Sequence, residues 1–433
     1  MFHRSWCFSP VNFTANRSIS GEQLLKQGFL RERLGACRSL YRKDLFGHYG
    51  CVNAIEFSNH GGDFLISGES LLVVLLSRSH AISDLTYLFK KIKEFPPVEP
   101  PHRERCPETC RPVGGRNDEQ VILHDTASRE TKDVFRHEDA VYGLSVDPNN
   151  DNVFASACDD GRVLIWDIRE NPTAEPFCLA NYTSAFHAVV YNPVEPRLLA
   201  TANSKEGIAL WDIRKPRSCV QRFGGSLTSD SAMSVKFNAL GTQVMGLRRR
   251  LPPVLYHLHS DVAACQFDHP GYYNSCTMKS CCFAGDRDQY LLSGSDDFNL
   301  YLWRIPEDTE LGKKPRVVTA HMVLKGHRSI VNQVRFNPAT HLVVSSGVEK
   351  VIKVWSPFKQ PESGGQIDQQ DSTPQRSMYT HEEYISLVLN SGQGLSHDYG
   401  HQSVQEDPRM IAFFDSLVQR EIEGWSSESE DSL

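Results

Sequence analysis

The sequence predicts an all-β fold in which seven similar units form a ring, with short helical flanks at the N- and C-terminal ends. Short runs rich in β-branched and aromatic residues are separated by Asn, Asp and Gly turns, as in "VYGLSVDP", "VFASAC" and "RVLIWDI". These runs recur at intervals of 42 to 52 residues. One small sheet cannot bury both of its faces, whereas a ring buries each sheet against its neighbours.

The repeat has a family signature. The closing positions of successive units are His124, Trp166, Trp211, Tyr256, Trp303 and Trp355. A period near 40–45 residues that starts with Gly-His and ends with Trp-Asp is typical of WD repeats. The chain from Gly47 to Phe358 resembles the WD-repeat family, and this resemblance implies a β-propeller over residues 47–358.

A buried polar network is predicted inside the best-preserved units, where it would satisfy groups that are costly to bury unpaired. Its members are His137, Ser156, Asp160 and Trp166 in the third unit, Ser293, Asp297 and Trp303 in the sixth, and His327, Ser345, Glu349 and Trp355 in the seventh. The same His-to-Trp spacing recurs where no nucleophile does. We therefore interpret these histidines as structural rather than catalytic.

The first two units depart from the pattern. "GHYGCVNAIEFSNHGGDFLISG" begins the first unit, but the expected Asp and Trp are missing, and "LLVVLL" at residues 71–76 is a candidate for its third strand. The second unit keeps only its end, "GRNDEQVILHD". Between them, "AISDLTYLFKKIKEFPPVEPPHRERCPETCRPVGG" carries Pro, Arg and Glu clusters without a strand pattern, and the departure covers residues 69–114. We interpret them as an irregular insert or as replaced blade sequence.

An arginine follows the Trp-Asp pair by two positions in two consecutive units, "GRVLIWDIRE" and "GIALWDIRK". In the structural interpretation, Arg169 and Arg214 are ordinary turn residues on one rim of the ring. In the functional interpretation, two neighbouring guanidinium groups form a docking pair. Arginine forks make bidentate bonds to carboxylates and also bind carbonyl oxygens, so such a pair suits a protein partner.

The two segments closely resemble the Trp-Asp-x-Arg boxes of substrate receptors of cullin-4 RING ubiquitin ligases. In that family the box helps to bind a triple-propeller adaptor, damaged-DNA-binding protein 1, and through it cullin-4. The resemblance implies an adaptor-binding site of Trp166, Asp167, Arg169, Trp211, Asp212 and Arg214. In this site the aspartates would brace the arginines, while the tryptophans belong to the fold. The implied role is substrate recognition for ubiquitination, with an unknown protein substrate.

The competing interpretation is a WD-repeat scaffold, or a chromatin or methyl-lysine reader, that is not linked to a ligase. An enzyme is not predicted, because the sequence contains no P-loop, no G-x-S-x-G and no H-E-x-x-H motif. No cofactor and no metal are expected either. Cys106 and Cys110, and the cluster of Cys276, Cys281 and Cys282, lack a partner pair at zinc-ligand spacing.

A second candidate site is the run Arg248, Arg249 and Arg250 in "GLRRRLPP". It falls in the turn before the third strand of its unit, on the rim opposite the Trp-Asp-x-Arg ends. Three arginines there could bind an acidic or phosphorylated substrate segment. The alternative is a solvated basic turn. Direct nucleic-acid binding is not expected, since no aromatic residues interleave the run.

The flanks complete the predicted organisation. Residues 1–46 form an N-terminal extension whose segment "SGEQLLKQGFLRERLGACRSLYRKDL" is a candidate helix. That helix could insert into an adaptor cleft or pack on the protein's own propeller. Residues 359–433 comprise a polar linker, a C-terminal helix and an acidic, Ser-rich tail. In this helix Asp407 would be the cap and Pro408 the first residue.

Charge and hydropathy bound the partners and the compartment. The net charge is −7, and residues 360–433 carry 14 acidic residues against 3 arginines, so the rest of the chain is nearly neutral. No apolar run approaches the roughly 18 residues of a membrane span, and the N-terminus lacks the apolar core of a signal peptide. We expect an intracellular soluble protein of the nucleus and/or the cytoplasm.

Overall fold

A computed structural model of the protein describes residues 22–48, 50–57, 65–68, 74–76, 119–125, 130–224, 230–307, 315–368, 376–390 and 406–430. The first six strands are β1 (Tyr41–Phe46), β2 (Ala54–Phe57), β3 (Leu65–Gly68), β4 (Val74–Leu76), β5 (Gln120–Asp125) and β6 (Glu130–Arg136). The third unit contains β7 (Val141–Asp147), β8 (Asn150–Cys158), β9 (Arg162–Asp167) and β10 (Phe177–Asn181). The fourth contains β11 (Phe186–Tyr191), β12 (Leu198–Asn203), β13 (Gly207–Asp212) and β14 (Gln221–Phe223).

The remaining units repeat this plan. The fifth contains β15 (Ala232–Phe237), β16 (Gln243–Arg248), β17 (Val254–His257) and β18 (Ala263–Asp268). The sixth contains β19 (Cys281–Ala284), β20 (Tyr290–Gly294), β21 (Leu300–Arg304) and β22 (Arg316–Leu324). The seventh contains β23 (Val331–Asn337), β24 (Leu342–Gly347) and β25 (Val351–Ser356). The seven-unit propeller predicted from the repeat spacing is thereby confirmed.

Neighbouring units meet along their first strands. β11 contacts β7 on one side and β15 on the other, β19 contacts β15 and β23, and β23 contacts β2. Buried aliphatic and aromatic side chains fill the space between adjacent sheets, as between the third and fourth units, where Val163, Phe186 and Trp211 pack together. Each sheet is thus covered by its neighbours, which is the physical reason for the ring.

The two ends of the propeller sequence meet in one sheet. β1 pairs antiparallel with β25, from Tyr41 opposite Ser356 to Phe46 opposite Val351, and supplies the fourth strand of the seventh unit. A strand from the N-terminal side therefore joins the last unit to the first. The fifth and sixth units are joined differently, because β18 pairs in parallel with β22 and makes one eight-stranded sheet.

The second unit corrects one prediction. The segment 71–76 was predicted as the third strand of the first unit, whose described strands are β2 and β3. Instead β4 lies beside β5 in the second unit, and the pairing is parallel, with Val74 opposite Ile122. A third strand would run antiparallel to its neighbour. Of the segment 69–114, residues 69–73 and 77–114 lie outside the described residues, so the prediction about them stays open there.

The polar network is complete in the seventh unit. The ring of His327 lies between the Glu349 carboxylate and Ser345 Oγ, and the indole N–H of Trp355 donates to the same Ser345 oxygen over 2.7 Å. In the third unit, His137 Nε2 lies 2.9 Å from Ser156 Oγ, to which Trp166 donates over 3.0 Å. The predicted network therefore holds for the His-Ser-Trp part of both units.

The other predicted members of this network have different partners. Asp160 accepts from Arg162 Nε over 2.7 Å instead of from His137, because an arginine two residues away offers a stronger charged donor. In the sixth unit the indole N–H of Trp303 donates to the Asp268 carbonyl over 3.2 Å, while Ser293 pairs with the Tyr272 hydroxyl over 2.9 Å. Tyr272 thus occupies the role that histidine has elsewhere.

Among the described residues, three helices flank the propeller: α1 (Glu22–Ala36), α2 (His381–Asn390) and α3 (Pro408–Glu430). The second half of α1 packs on the propeller through buried Leu30 and Leu34, and its Arg31 forms an ion pair with Asp286. Of the two roles considered for this segment, packing on the protein's own propeller accounts for these residues. The sequence analysis had not predicted α2, although Thr380 and Glu383 form a capping box at its start.

The C-terminal helix α3 begins as predicted, since Asp407 Oδ1 accepts the Arg409 N–H over 2.9 Å and Pro408 is the first helical residue. Val418 is buried against Phe298, Ile330 and Val348, which lie in loops and turns of the sixth and seventh units. The buried Asp415 carboxylate binds Arg376 with two bonds of 2.8 and 2.9 Å. α3 is thus fixed to the propeller by apolar contacts, and its Asp415 binds Arg376 of the segment before α2, whose guanidinium group also donates to the Arg328 carbonyl of the propeller.

The buried histidines predict loss of stability in mild acid. Burial lowers the pKa of His137 and of His187 below the ordinary value of 6.5. Below about pH 6.5 the unfolded chain binds protons that the folded chain does not, so the free energy of unfolding should fall as the pH drops. Urea unfolding at pH 7.5, 6.5 and 5.5 measures this. His137→Gln should flatten the pH dependence, whereas equal stability at all three values would contradict the prediction.

Candidate protein-docking site

The two arginine-bearing turns have the same local construction. Each follows the third strand of its unit and begins with the last strand residue, Asp167 of β9 or Asp212 of β13. The carbonyl of Asp167 accepts the Glu170 N–H over 3.1 Å, and the carbonyl of Asp212 accepts the Lys215 N–H over 2.9 Å. Two β-turns of the same type therefore present the arginines at equivalent positions.

The tryptophans hold the strand ends from inside. Trp166 and Trp211 are buried, and their indole N–H groups donate to Ser156 Oγ over 3.0 Å and to Thr201 Oγ1 over 2.8 Å. Trp211 is fully buried, whereas Trp166 keeps 6% of its surface exposed. Their contribution to the site is to fix the end of the strand from which each turn departs.

The aspartates hold the arginines in one orientation. Asp167 Oδ1 accepts both the backbone N–H and the Nε–H of Arg169, over 3.0 and 2.9 Å, while Asp167 Oδ2 pairs with Nη2. Asp212 binds Arg214 in the same way, with distances of 3.0 and 2.9 Å and a Nη2 contact of 2.5 Å. This fork-to-fork geometry fixes each guanidinium group before any partner binds.

Both arginines remain available from the solvent side. The side chains of Arg169 and Arg214 are each 63% exposed, whereas those of Asp167 and Asp212 are 22% and 9% exposed. Among the hydrogen bonds of the described residues, none uses Nη1 of either arginine. Each guanidinium group thus keeps two N–H donors for an external carboxylate or carbonyl.

Both Asp–Arg pairs stay ionised at physiological pH. The hydrogen bond from Arg169 lowers the pKa of Asp167, and the bond from Arg214 lowers the pKa of Asp212 to about 2. The same bonds raise the pKa of both arginines. Each turn therefore carries a permanent ion pair with its positive end outward.

The two turns lie next to each other on one rim. Third strands of successive units run in the same direction, so their ends reach the same side of the ring. The loop after the second turn also touches the preceding unit, since the Arg217 N–H donates to the Leu179 carbonyl of β10 over 2.8 Å. The structure therefore brings Arg169 and Arg214 to neighbouring positions on a common rim.

The structure places Arg248, Arg249 and Arg250 on the opposite rim, at the β16–β17 turn, and gives each a different partner. Arg248 binds Asp230 over 2.6 Å, Arg249 Nε donates to the Ser275 carbonyl over 2.9 Å, and Arg250 binds Glu421 of α3 over 2.8 Å. These partners could not be predicted from the sequence, because they come from three separate segments. Arg248 and Arg250 both form salt bridges, and the Arg250 side chain, which is 47% exposed, is more accessible than that of Arg248, which is 17% exposed.

A groove that the sequence analysis missed lies beside the first turn. Its volume is about 170 Å³. Its lining residues are Phe135, Val153, Ile165, Trp166, Asp167, Glu170, Asn171, Ala174, Glu175, Pro176 and Phe177. Glu170 and Glu175 were visible in the sequence as charges near the arginine. The apolar wall of the groove could not be predicted from the sequence, because two of its residues, Phe135 and Val153, belong to the separate strands β6 and β8.

The described residues contain neither a grouped set of metal ligands nor a helix suited to crossing a bilayer. No three His, Cys, Asp or Glu side chains among those residues are grouped so that they could hold a metal ion. Cys106 and Cys110 lie outside the described residues, and Cys281 is buried and donates to Ser234. No described helix has both the length and the apolar character needed to cross a bilayer.

Comparison with known proteins agrees with the repeat architecture. A family model described as "WD domain, G-beta repeat" matches residues 129–167 and 319–356, which end at the Trp-Asp pair of the third unit and just after the tryptophan of the seventh. The chain contains WD repeats. Among solved structures, one titled "Crystal Structure of Mitotic Checkpoint Complex" matches with a TM-score of 0.45 and 14% identity, over 55% of this chain and 69% of that one.

Two curated relatives of this WD-repeat chain carry one name, "DDB1- and CUL4-associated factor 5". The protein from Homo sapiens is 63% identical over 435 residues, which cover 98% of this chain and 45% of the relative. The protein from Mus musculus shows the same identity and coverage. The chain therefore spans somewhat less than half the length of these relatives.

Proposed function

We propose that this chain is the substrate-recognition subunit of a cullin-4 RING E3 ubiquitin ligase. In this proposal it binds the triple-propeller adaptor, damaged-DNA-binding protein 1, through the turns at Arg169 and Arg214, and through the adaptor it joins cullin-4. The observation that carries the proposal is the pair of identically built, outward-facing arginine turns on one rim. The 63% identity to proteins named for DDB1 and CUL4 supports the choice of partner.

The expected mechanism is bridging rather than catalysis. The receptor would hold a protein substrate near the ubiquitin-charged enzyme and raise its effective concentration, as any bivalent link does. The chain itself would transfer no group. The arginine rim would face the adaptor, which leaves the opposite rim for the substrate. We expect the protein to act in the nucleus, the cytoplasm or both.

The opposite rim offers Arg248, Arg249 and Arg250 as candidates for an acidic or phosphorylated substrate segment. Each already has a partner inside the chain, so a substrate would have to share or replace it. Arg250 is the best placed of the three, because its Glu421 partner lies on α3 and the pair is partly exposed. A substrate phosphate could compete with that carboxylate.

Titration of the purified chain with purified adaptor tests the proposal. We expect saturable one-to-one binding that weakens with rising salt, because exposed guanidinium groups are screened by ions. Biolayer interferometry at 50 and 300 mM NaCl measures both properties. If the folded chain does not bind the adaptor, the WD-repeat scaffold or chromatin and methyl-lysine reader becomes the better interpretation.

A further inference from the structure

The two arginine-bearing turns, at residues 167–170 and 212–215, differ in how they contact the preceding unit of the propeller. After the second turn, the Arg217 N–H donates to Leu179 over 2.8 Å, so the loop closes onto the outer strand β10. After the first turn, the corresponding space beside the outer strand β6 is the groove of about 170 Å³, with Phe135 in its wall. The two turns therefore differ: a backbone bond closes the loop after the second turn onto β10, and a groove lies beside the first turn.

The groove has the size and the walls for one long side chain. Phe135, Val153, Ile165 and Trp166 line its inner part, and Phe177 lines its outer part with 43% of its surface exposed. A cavity of about 150 Å³ lined by such residues can hold a benzene molecule. An exposed phenylalanine beside an apolar cleft is a typical anchor of a protein interface.

The charges of the groove indicate which kind of partner side chain it can bind. Its lining includes three carboxylates and no basic residue. Arg169 neutralises Asp167, whereas Glu170 and Glu175 are exposed at the surface and have no such partner among the described hydrogen bonds. An apolar channel with two carboxylates at its mouth is complementary to a side chain with an aliphatic stem and a cationic head.

The second turn has the opposite charge at the matching position. Glu170 follows Trp166 by four residues, and Lys215 follows Trp211 by the same four. The rim is therefore acidic beside the first arginine and basic beside the second. A partner with a cationic group at one place and an anionic group at the other can bind in only one orientation.

We propose that the groove binds a lysine or arginine side chain of the adaptor and thereby fixes the orientation of the complex. This inference rests on the proposed function, because it assigns the groove to the same partner as the two arginines. The aliphatic stem lies against Trp166 and Phe177, and the cationic head faces Glu170 and Glu175. The first turn then binds one lysine or arginine side chain of the adaptor, while the second turn contributes the guanidinium group of Arg214 and the side chain of Lys215.

Two variants of the full chain test the groove against the adaptor. Phe177→Ala should weaken binding about tenfold by removing one wall. Glu170→Gln with Glu175→Gln should weaken it about three- to tenfold at 50 mM NaCl and should make the salt dependence smaller. The matched controls lie on the sixth unit: Val317→Ala removes an exposed apolar group of β22, and Glu307→Gln changes an exposed position after the third strand.

The outcomes separate this inference from the proposed function. Wild-type affinity and an unchanged salt dependence in both groove variants would overturn the inference, while loss of binding in the Arg169→Ala, Arg214→Ala variant would leave the proposed function standing. Absence of binding by the wild-type chain would overturn both. Equal losses in the groove variants and in the two controls would also contradict a specific groove, and melting temperatures near wild type exclude misfolding as the cause.

Discussion

The variant with both Arg169→Ala and Arg214→Ala is expected to bind the adaptor at least about 100-fold more weakly than the wild-type chain. Arginines are frequent hot spots, each often contributing about 2 kcal/mol or more, and about 1.4 kcal/mol corresponds to a factor of ten in affinity. Both side chains are 63% exposed and are held in place by their aspartates. The loss should therefore come from contacts with the partner and not from unfolding.

The melting temperature provides the internal check on this result. Exposed ion pairs contribute little to stability, and Asp167 and Asp212 would still accept the backbone N–H groups two residues later. The double variant should therefore unfold within a few degrees of wild type. Arg169→Lys with Arg214→Lys should bind with intermediate affinity, since lysine keeps the charge but loses the fork. Binding of the alanine variant at wild-type strength would contradict the docking role.

Lys279→Met is expected to lower the free energy of unfolding by about 3 to 5 kcal/mol, the usual cost of leaving one member of a buried ion pair alone. Lys279 and Asp296 are both fully buried and bind each other. Asp296 Oδ2 also accepts the Ser275 and Cys276 N–H groups over 2.6 and 3.0 Å. This pair therefore fixes the loop that leads from β18 to β19.

A second substitution distinguishes the charge effect from a packing effect. Lys279→Met combined with Asp296→Asn should recover much of the lost stability, because the asparagine oxygen can still accept the two backbone bonds without a buried charge. Denaturant unfolding of the single and double variants measures the difference. If the double variant is as unstable as Lys279→Met alone, the buried charge is not the reason. Adaptor binding by any folded variant should be unchanged, since the pair lies far from the arginine rim in the fold.

Repetition explains how much of the fold was predictable. A Trp-Asp end that returns every 42 to 52 residues fixes the unit, and the same Trp-Asp-Ile-Arg letters at Trp166 and Trp211 fix two equivalent turns. Because equivalent positions in a propeller lie on the same rim, the sequence alone predicts that Arg169 and Arg214 are neighbours. An ion pair between residues two positions apart is a local contact, so the sequence also predicts that Asp167 and Asp212 brace the two arginines.

What could not be predicted depends on partners from distant segments. The groove beside Arg169 needs Phe135 from β6, and the partner of Arg250 is Glu421, which is 171 residues away. Asp160 was assigned to His137 by analogy with other units, but the nearer Arg162 binds it. The second unit lost its repeat pattern, so nothing in the sequence indicated that β4 would pair with β5 in parallel.

Hydrogen–deuterium exchange of the chain with and without the adaptor tests the central claim most directly. We expect slower exchange in the two turns at residues 167–170 and 212–215, with the β16–β17 turn at residues 248–251 unchanged on the opposite rim. Protection of residues 248–251 together with unaltered exchange at both arginine turns would contradict it.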